Sequence, residues 1–111
     1  MDQKKEYALK KHAEWKGKLS VECKCPITNK EELAVAYTPG VAEPCLEIQK
    51  DEHLAYTYTG KGNTVAVITD GTAVLGLGDI GPSAGMPVME GQCALIKAFA
   101  GIDAVPNCIN S

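Results

Sequence analysis

Gln92 is the residue whose setting most needs a reason. On a helix opened by Pro87, positions 88, 89, 92, 95, 96 and 99 share one face. Five of these six are Val88, Met89, Leu95, Ile96 and Phe99, so Gln92 is the polar exception on an apolar stripe. Two readings stand: a buried glutamine satisfied by loop backbone, or a side chain aimed into a pocket above a sheet. Tyr37 precedes the chain-breaking Thr38-Pro39-Gly40. A tyrosine at a helix end can present its hydroxyl to a cleft, although a core tyrosine with a satisfied hydroxyl is the commoner arrangement. Asp79 sits among glycines, where its carboxylate could cap backbone amides or meet a ligand, the cap being the commoner use.

Gly76-Leu77-Gly78-Asp79-Ile80-Gly81 spells the G-x-G-x-x-G of dinucleotide-binding turns. Its context argues for a plain glycine-rich loop that packs closely or lines a pocket. Asp70-Gly71 ahead of it predicts a hairpin rather than the start of a β-α-β unit. The proline-containing stretch at residues 82–87 delays the next helix, and the only acidic residue near the required spacing is Asp103. Cys23 and Cys25 form C-x-C; on an extended segment both thiols point one way and Lys24 the other. A metal site would need further ligands, and His12 and His53, both among charged residues, read as surface positions.

The elements that must position these residues follow from local patterning. Residues 2–16 form a helix with Gly17 as its stop, and residues 19–21 a short strand. Thr28-Asn29-Lys30-Glu31 has the form of a capping box, so a helix opens there and runs to Ala36, where Pro39-Gly40 ends it. Helices follow over residues 41–50 and 52–58. The β-branched run at residues 64–69 is the clearest strand. With Asp70-Gly71 as a two-residue turn, it pairs with residues 72–75 in a hairpin. A helix then covers residues 87–100, with Gly101 as its stop, and residues 105–109 add a last strand. The expected class is α/β, with a mixed sheet because of the hairpin.

The totals bound the function. A chain of 111 residues, 45% hydrophobic, is enough for one domain with a real core. A net charge of −3 lacks the basic footprint of a nucleic-acid binder. The lysine-rich opening has no apolar stretch of a signal peptide, and no apolar run is long enough for a membrane span. Five cysteines cannot all pair within one chain, which predicts a reducing, cytoplasmic setting with free thiols.

Three stretches together carry a family resemblance. They are Ala36-Tyr37-Thr38-Pro39-Gly40-Val41-Ala42, the run from Thr69-Asp70-Gly71 through Gly76-Leu77-Gly78-Asp79-Ile80-Gly81, and Met86-Pro87-Val88-Met89-Glu90-Gly91. In order and spacing the chain resembles the malic enzyme family in its short-subunit bacterial form, over roughly residues 18–109. Longer-subunit members have an arginine two residues after the Asp-Gly, where this chain has Ala73. The resemblance implies a single three-layer α/β/α domain with a small mixed sheet, spanning 1–111. It implies the substrate-side, amino-terminal domain of an enzyme that decarboxylates malate oxidatively to pyruvate with NAD or NADP and Mg2+ or Mn2+. It implies that Tyr37 is the general acid acting on the enolate. Gln92 stands where the family has the lysine that takes the hydroxyl proton. An amide does not titrate near neutral pH, although it keeps a donor and an acceptor for holding substrate. Gly76, Gly78 and Asp79 fall where substrate binds. The family's acidic metal ligands and dinucleotide-binding domain lie beyond the point corresponding to Ser111, so the chain alone is expected to be inactive and to bind no cofactor tightly. A homodimer is the expected assembly. A non-catalytic dimerisation or regulatory module with the same fold is the competing reading, and the malolactic reaction would use the same parts.

Overall fold

The computed structural model describes residues 2–110. It divides into two compact units, one formed by the residues up to Ser20 together with those from Thr64 onward, the other by Val21–Asn63.

The first unit opens with α1, Gln3–Trp15. Asp2 caps it, its carboxylate accepting from the Lys5 amide at 2.8 Å. Lys16 in the left-handed conformation and Gly17 at φ +102° end it. Gly17 is favoured by its left-handed backbone, and a Cβ there would lie 3.0 Å from Glu90 Oε2, the far end of a side chain that can give way. The same carboxylate accepts the Lys18 amide at 3.4 Å, and the Lys18 ammonium donates to the Pro87 carbonyl at 3.1 Å. Residues 19–21 have no regular structure and do not form the expected strand.

The structure overturns the hairpin. β1, Thr64–Thr69, pairs in parallel with β2, Asp103–Cys108, from Thr64 opposite Asp103 to Thr69 opposite Cys108. The sheet among the described residues is therefore two-stranded and parallel, not mixed. Parallel strands need a long crossover, and α5, Gly81–Ala100, supplies it. The helix starts six residues earlier than Pro87 would suggest, because Pro87 sits inside it and only removes one backbone donor. Gly101 at φ +69° ends it as expected. The α/β class holds, and of the expected layers α5 is the one packed on these two strands.

Gly71 explains why the chain does not reverse at Asp70-Gly71. Its φ of +77° turns the chain beneath the start of α5, where its carbonyl accepts the amides of Ile80 at 3.0 Å and Gly81 at 3.2 Å. A Cβ on Gly71 would lie 1.9 Å from the Gly81 carbonyl oxygen. Asp70 serves the same bend, accepting from the Thr72 amide at 3.1 Å and hydroxyl at 2.7 Å. The buried apolar centre lies just beyond, at Cys93 on α5 and Ala104 on β2.

The second unit contains α2, Lys30–Ala36, α3, Ala42–Lys50, a single 3-10 turn at Glu52–Leu54 and α4, Ala55–Tyr58. The capping box expected at Thr28 is displaced by one residue. Asn29 is the cap, accepting from the Glu32 amide at 2.8 Å, and the Glu32 carboxylate reaches back to the Thr28 amide at 3.0 Å and to its hydroxyl. Asn29 is as good a cap as threonine, and using it leaves Thr28 free to bind the returning carboxylate.

Two outcomes test these local constraints. Gly71→Ala should destabilise the chain by about 3 kcal/mol, as a backbone clash with no flexible side chain to yield. Gly76→Ala, which meets only the left-handed backbone cost and no atom, should cost about 1 kcal/mol; urea unfolding followed by helical circular dichroism compares them. The second outcome concerns Glu32, whose pKa is lowered from 4.5, first by the Thr28 side-chain hydrogen bond and then by the Thr28 amide. A depressed carboxylate stabilises the fold fully above its unfolded value and loses that contribution as pH falls through the lower, folded value. Carboxyl NMR titration should place Glu32 below 4.5, and Thr28→Ala should move its midpoint upward. An unmoved midpoint would assign the shift to something other than Thr28.

Candidate active-site residues

Tyr37 is placed by the way α2 ends. Its amide donates to Leu33 O at 2.7 Å, and its own carbonyl accepts the Val41 amide at 2.6 Å. Gly40 then folds back over the helix end: its amide reaches Ala34 O at 2.7 Å, and a Cβ at Gly40 would lie 2.6 Å from that oxygen. This close approach explains Pro39-Gly40 better than simple helix breaking does. The Tyr37 side chain is 65% exposed, so it is no core tyrosine, and among the described residues its hydroxyl has no protein partner. It belongs to the second unit.

Gln92 belongs to the first unit, on α5. The apolar stripe read from the sequence divides in two. Gly85 and Cys93 are buried and Met86, Met89 and Ile96 half-buried, forming the face packed on the strands. Val88, Leu95 and Phe99 lie with Gln92 on a second, exposed face, 41%, 58% and 86% accessible for the three apolar residues. The reading of Gln92 as a buried, satisfied glutamine is thereby corrected; its amide is presented outward with apolar neighbours one turn above and below. Its immediate neighbour Cys93 is inert, its thiol pushed up by burial and then by the Glu90 charge.

The glycine-rich loop is neither a dinucleotide turn nor closely packed. Val74 and Gly78 form an antiparallel bridge, with the Val74 amide on Gly78 O at 2.8 Å and the Gly78 amide on Val74 O at 2.7 Å. Leu75 stands fully exposed at the tip. Gly76 at φ +82° and Gly78 at +74° are needed for this tight turn, and a Cβ on either would meet nothing within 4 Å. They do not pack closely. Asp79 is exposed and does not cap α5, whose amino terminus has no side-chain cap. The loop does open a β-α-β unit, contrary to the sequence expectation, since β1, α5 and β2 form one. It still lacks the dinucleotide arrangement. Residues 70–75 separate the strand end from the first glycine of the motif. Asp103 is the first residue of β2, at the sheet edge opposite the loop, and its carboxylate is held by Lys97 at 2.7 Å.

Gly76, Gly78 and Asp79 thus precede α5, and Gln92 lies about 16 Å along its axis from Gly81 at 1.5 Å per residue. Among the described residues, no three His, Cys, Asp or Glu side chains converge as a metal site. No helix described is long and apolar enough to cross a membrane. Sequence reasoning missed the strap of Gly17, Lys18 and Glu90 on α5. A glycine directly after a helix reads as a stop, and nothing local shows that a distant glutamate fills the space above it.

Comparison with known proteins agrees with this architecture. The family described as "Malic enzyme, N-terminal domain" matches residues 16–111. The bifunctional malic/malolactic enzyme of Bacillus subtilis (strain 168) is 54% identical over 96% of this chain and 26% of its own length. The NADP-dependent malic enzyme of Escherichia coli (strain K12) is 57% identical over 92% of the chain and 14% of its own. The crystal structure of the NAD-dependent malic enzyme of Thermotoga maritima superposes with a TM-score of 0.89 at 47% identity, covering 94% of this chain and 28% of that one. The chain thus spans about a quarter or less of the length of these relatives. With the matching family, the high identity and the shared β-α-β unit in agreement, the chain belongs to the malic enzyme family, as its N-terminal domain.

Proposed function

We propose that this domain is the substrate side of an enzyme that converts malate to pyruvate by oxidative decarboxylation with NAD or NADP and a divalent metal. The observation that carries the proposal is the family match over residues 16–111, which includes Tyr37 in an exposed, unpartnered position at a rigidly built helix end. The relatives' names supply both nucleotides, so either stands. Neither nucleotide nor metal fits the described residues: the loop lacks the dinucleotide arrangement and no ligand cluster converges. Both are assigned to the remaining length that relatives have, and no step is derived through them.

What this chain's own residues do is limited to proton handling and binding. Tyr37 is assigned as the general acid that returns a proton to the enolate carbon, a role a phenol performs only when its hydroxyl reaches the substrate. Position 92 is assigned as the place from which the malate hydroxyl proton is taken. Glutamine there can hold that hydroxyl by hydrogen bonds but cannot accept its proton. Gly76, Gly78 and Asp79 are assigned to the substrate's border, in the loop that leads into α5. Free cysteines throughout the described residues favour a cytoplasmic setting.

A second reading, a non-catalytic dimerisation or regulatory module, is favoured by Gln92 itself and by the exposed Val88, Leu95 and Phe99. On either reading we assign a homodimer, with Tyr7, Trp15 and Leu19 as further exposed apolar surface.

The chain alone, given malate, either nucleotide and Mn2+, should reduce no nucleotide above background. Joined to the remaining length of the Bacillus subtilis relative, it should turn over weakly, and Gln92→Lys should raise the rate roughly 10²–10⁴-fold, the span of a positioned general base. Tyr37→Phe in the repaired protein should impair pyruvate formation more than nucleotide reduction. If Gln92→Lys changes nothing while folding and malate binding persist, position 92 is not the base. For association, sedimentation of the chain at micromolar concentration should give a dimer that Phe99→Ser weakens. A clean monomer would remove the dimer assignment.

A further inference from the structure

Cys23 and Cys25 lie in a stretch without regular structure at the start of the second unit, both exposed and both reduced. Their sulfurs are 3.7 Å apart. The Cys23 thiol also donates to the Cys25 carbonyl at 3.4 Å, which folds the first side chain over the second residue. A bend at Cys25 brings the pair together, and Pro26 restricts the backbone on its far side. Closing an S–S bond of 2.05 Å from this position needs the sulfurs to approach by about 1.7 Å, within reach of side-chain rotation. A metal is the poorer occupant, because among the described residues no third His, Cys, Asp or Glu joins the two thiols.

We propose that Cys23 and Cys25 are a dithiol–disulfide pair, closed by exchange with a small-molecule disulfide and reopened by the corresponding thiol. One cysteine, as thiolate, attacks the disulfide and releases one small thiolate. The second then attacks the protein sulfur of that mixed disulfide and releases the other. The two protein thiols are oxidised, the small disulfide is reduced to two thiols, and the two protons pass from the cysteines to those leaving thiolates. The Cys25 thiol is raised from its ordinary value, first by its hydrogen bond to Cys23 and then by like charge. The two therefore do not ionise together, so one attacks first and the second loses its proton only at the closing step, the thiolate being the attacking group each time. An exposed bridge across a single residue is strained, which makes it oxidising and readily reversible. Cys45, exposed with no sulfur partner, should only form a mixed disulfide.

The test equilibrates the full chain in glutathione and glutathione disulfide mixtures, blocks free thiols and digests with trypsin. Cleavage after Lys24 separates the two cysteines, so a closed bridge appears as peptides 19–24 and 25–30 joined, with two hydrogens lost and no glutathione. Cys25→Ser should leave glutathione on Cys23 at ratios where the unaltered chain has released it. Because the folded chain presets the approach, the equilibrium constant for closure should fall by about tenfold or more in urea, as the effective concentration drops. Glutathione retained on both cysteines at every ratio would overturn the proposal. So would equal closure in native and unfolded chain, which would show that the structure contributes nothing.

Discussion

The crossing of Gly71 beneath Gly81 is the contact on which the first unit depends. One carbonyl accepts two amides there, and the backbones approach too closely for any side chain. It fixes the end of β1 under the start of α5. α5 and its stop at Gly101 then return the chain beside β1 in parallel, with β2 in register from Thr64–Asp103 to Thr69–Cys108. Gly85 lies buried over the same crossing, its Cβ position at ordinary van der Waals distance, 3.6 Å, from Gly71 Cα. The tip formed by residues 74–78 then projects away from this crossing, and that is why its glycines answer to turn geometry rather than packing.

Little of the chain is interior. The accessible surface is 8887 Å². Two separately compact pieces of these sizes would expose only about 7,100 Å². The difference is visible residue by residue: Ile68 and Val105 on the strands, Val88, Leu95 and Phe99 on α5, and Val35 on α2 all remain open. Parallel strands are ordinarily covered on both faces, and a two-stranded sheet has little stability of its own. Faces of this kind are ordinarily covered in α/β proteins, and the relatives are several times this chain's length.

The helices were legible in the sequence because their signals are local. Asp2 and Gly17 bound α1, Asn29 and Pro39-Gly40 bound α2, and Gly101 ends α5, each by a choice of residue within one turn of the boundary. The sheet was misread for the opposite reason. Asp-Gly after a β-branched run is good hairpin chemistry, and nothing within ten residues says that the positive φ of Gly71 serves a helix crossing above it. The same blindness moved the start of α5 to Pro87, since a proline inside a helix and one at its first turn look alike until the packing is known. Gln92 and Tyr37 stood out in the sequence as a polar break in an apolar stripe and a tyrosine at a helix end, with roles implied only by the family resemblance, while their exposure could only come from the three-dimensional placement of α2 and α5. The helical period correctly grouped Val88, Gln92, Leu95 and Phe99, but it merged them with Met89 and Ile96 because two neighbouring apolar faces on one helix look like one broad stripe.

That exposed face also bears on why a glutamine is tolerable at position 92. A lysine between Val88 and Leu95 would be solvated while the face is open, and desolvated once protein or substrate covers it. Desolvation disfavours the ammonium and lowers its pKa, which is what turns a lysine into a base near neutral pH. The same step costs stability in the covered state, because an ion is being taken from water. Glutamine carries no charge to desolvate, so covering the face costs it only the pairing of one amide. On the proposed assignment of position 92, absence of the base and relief of that cost are one difference seen from two sides. A chain with Gln92 should form its covered state more readily than one with lysine, and should be slower at any chemistry that begins by removing a proton there.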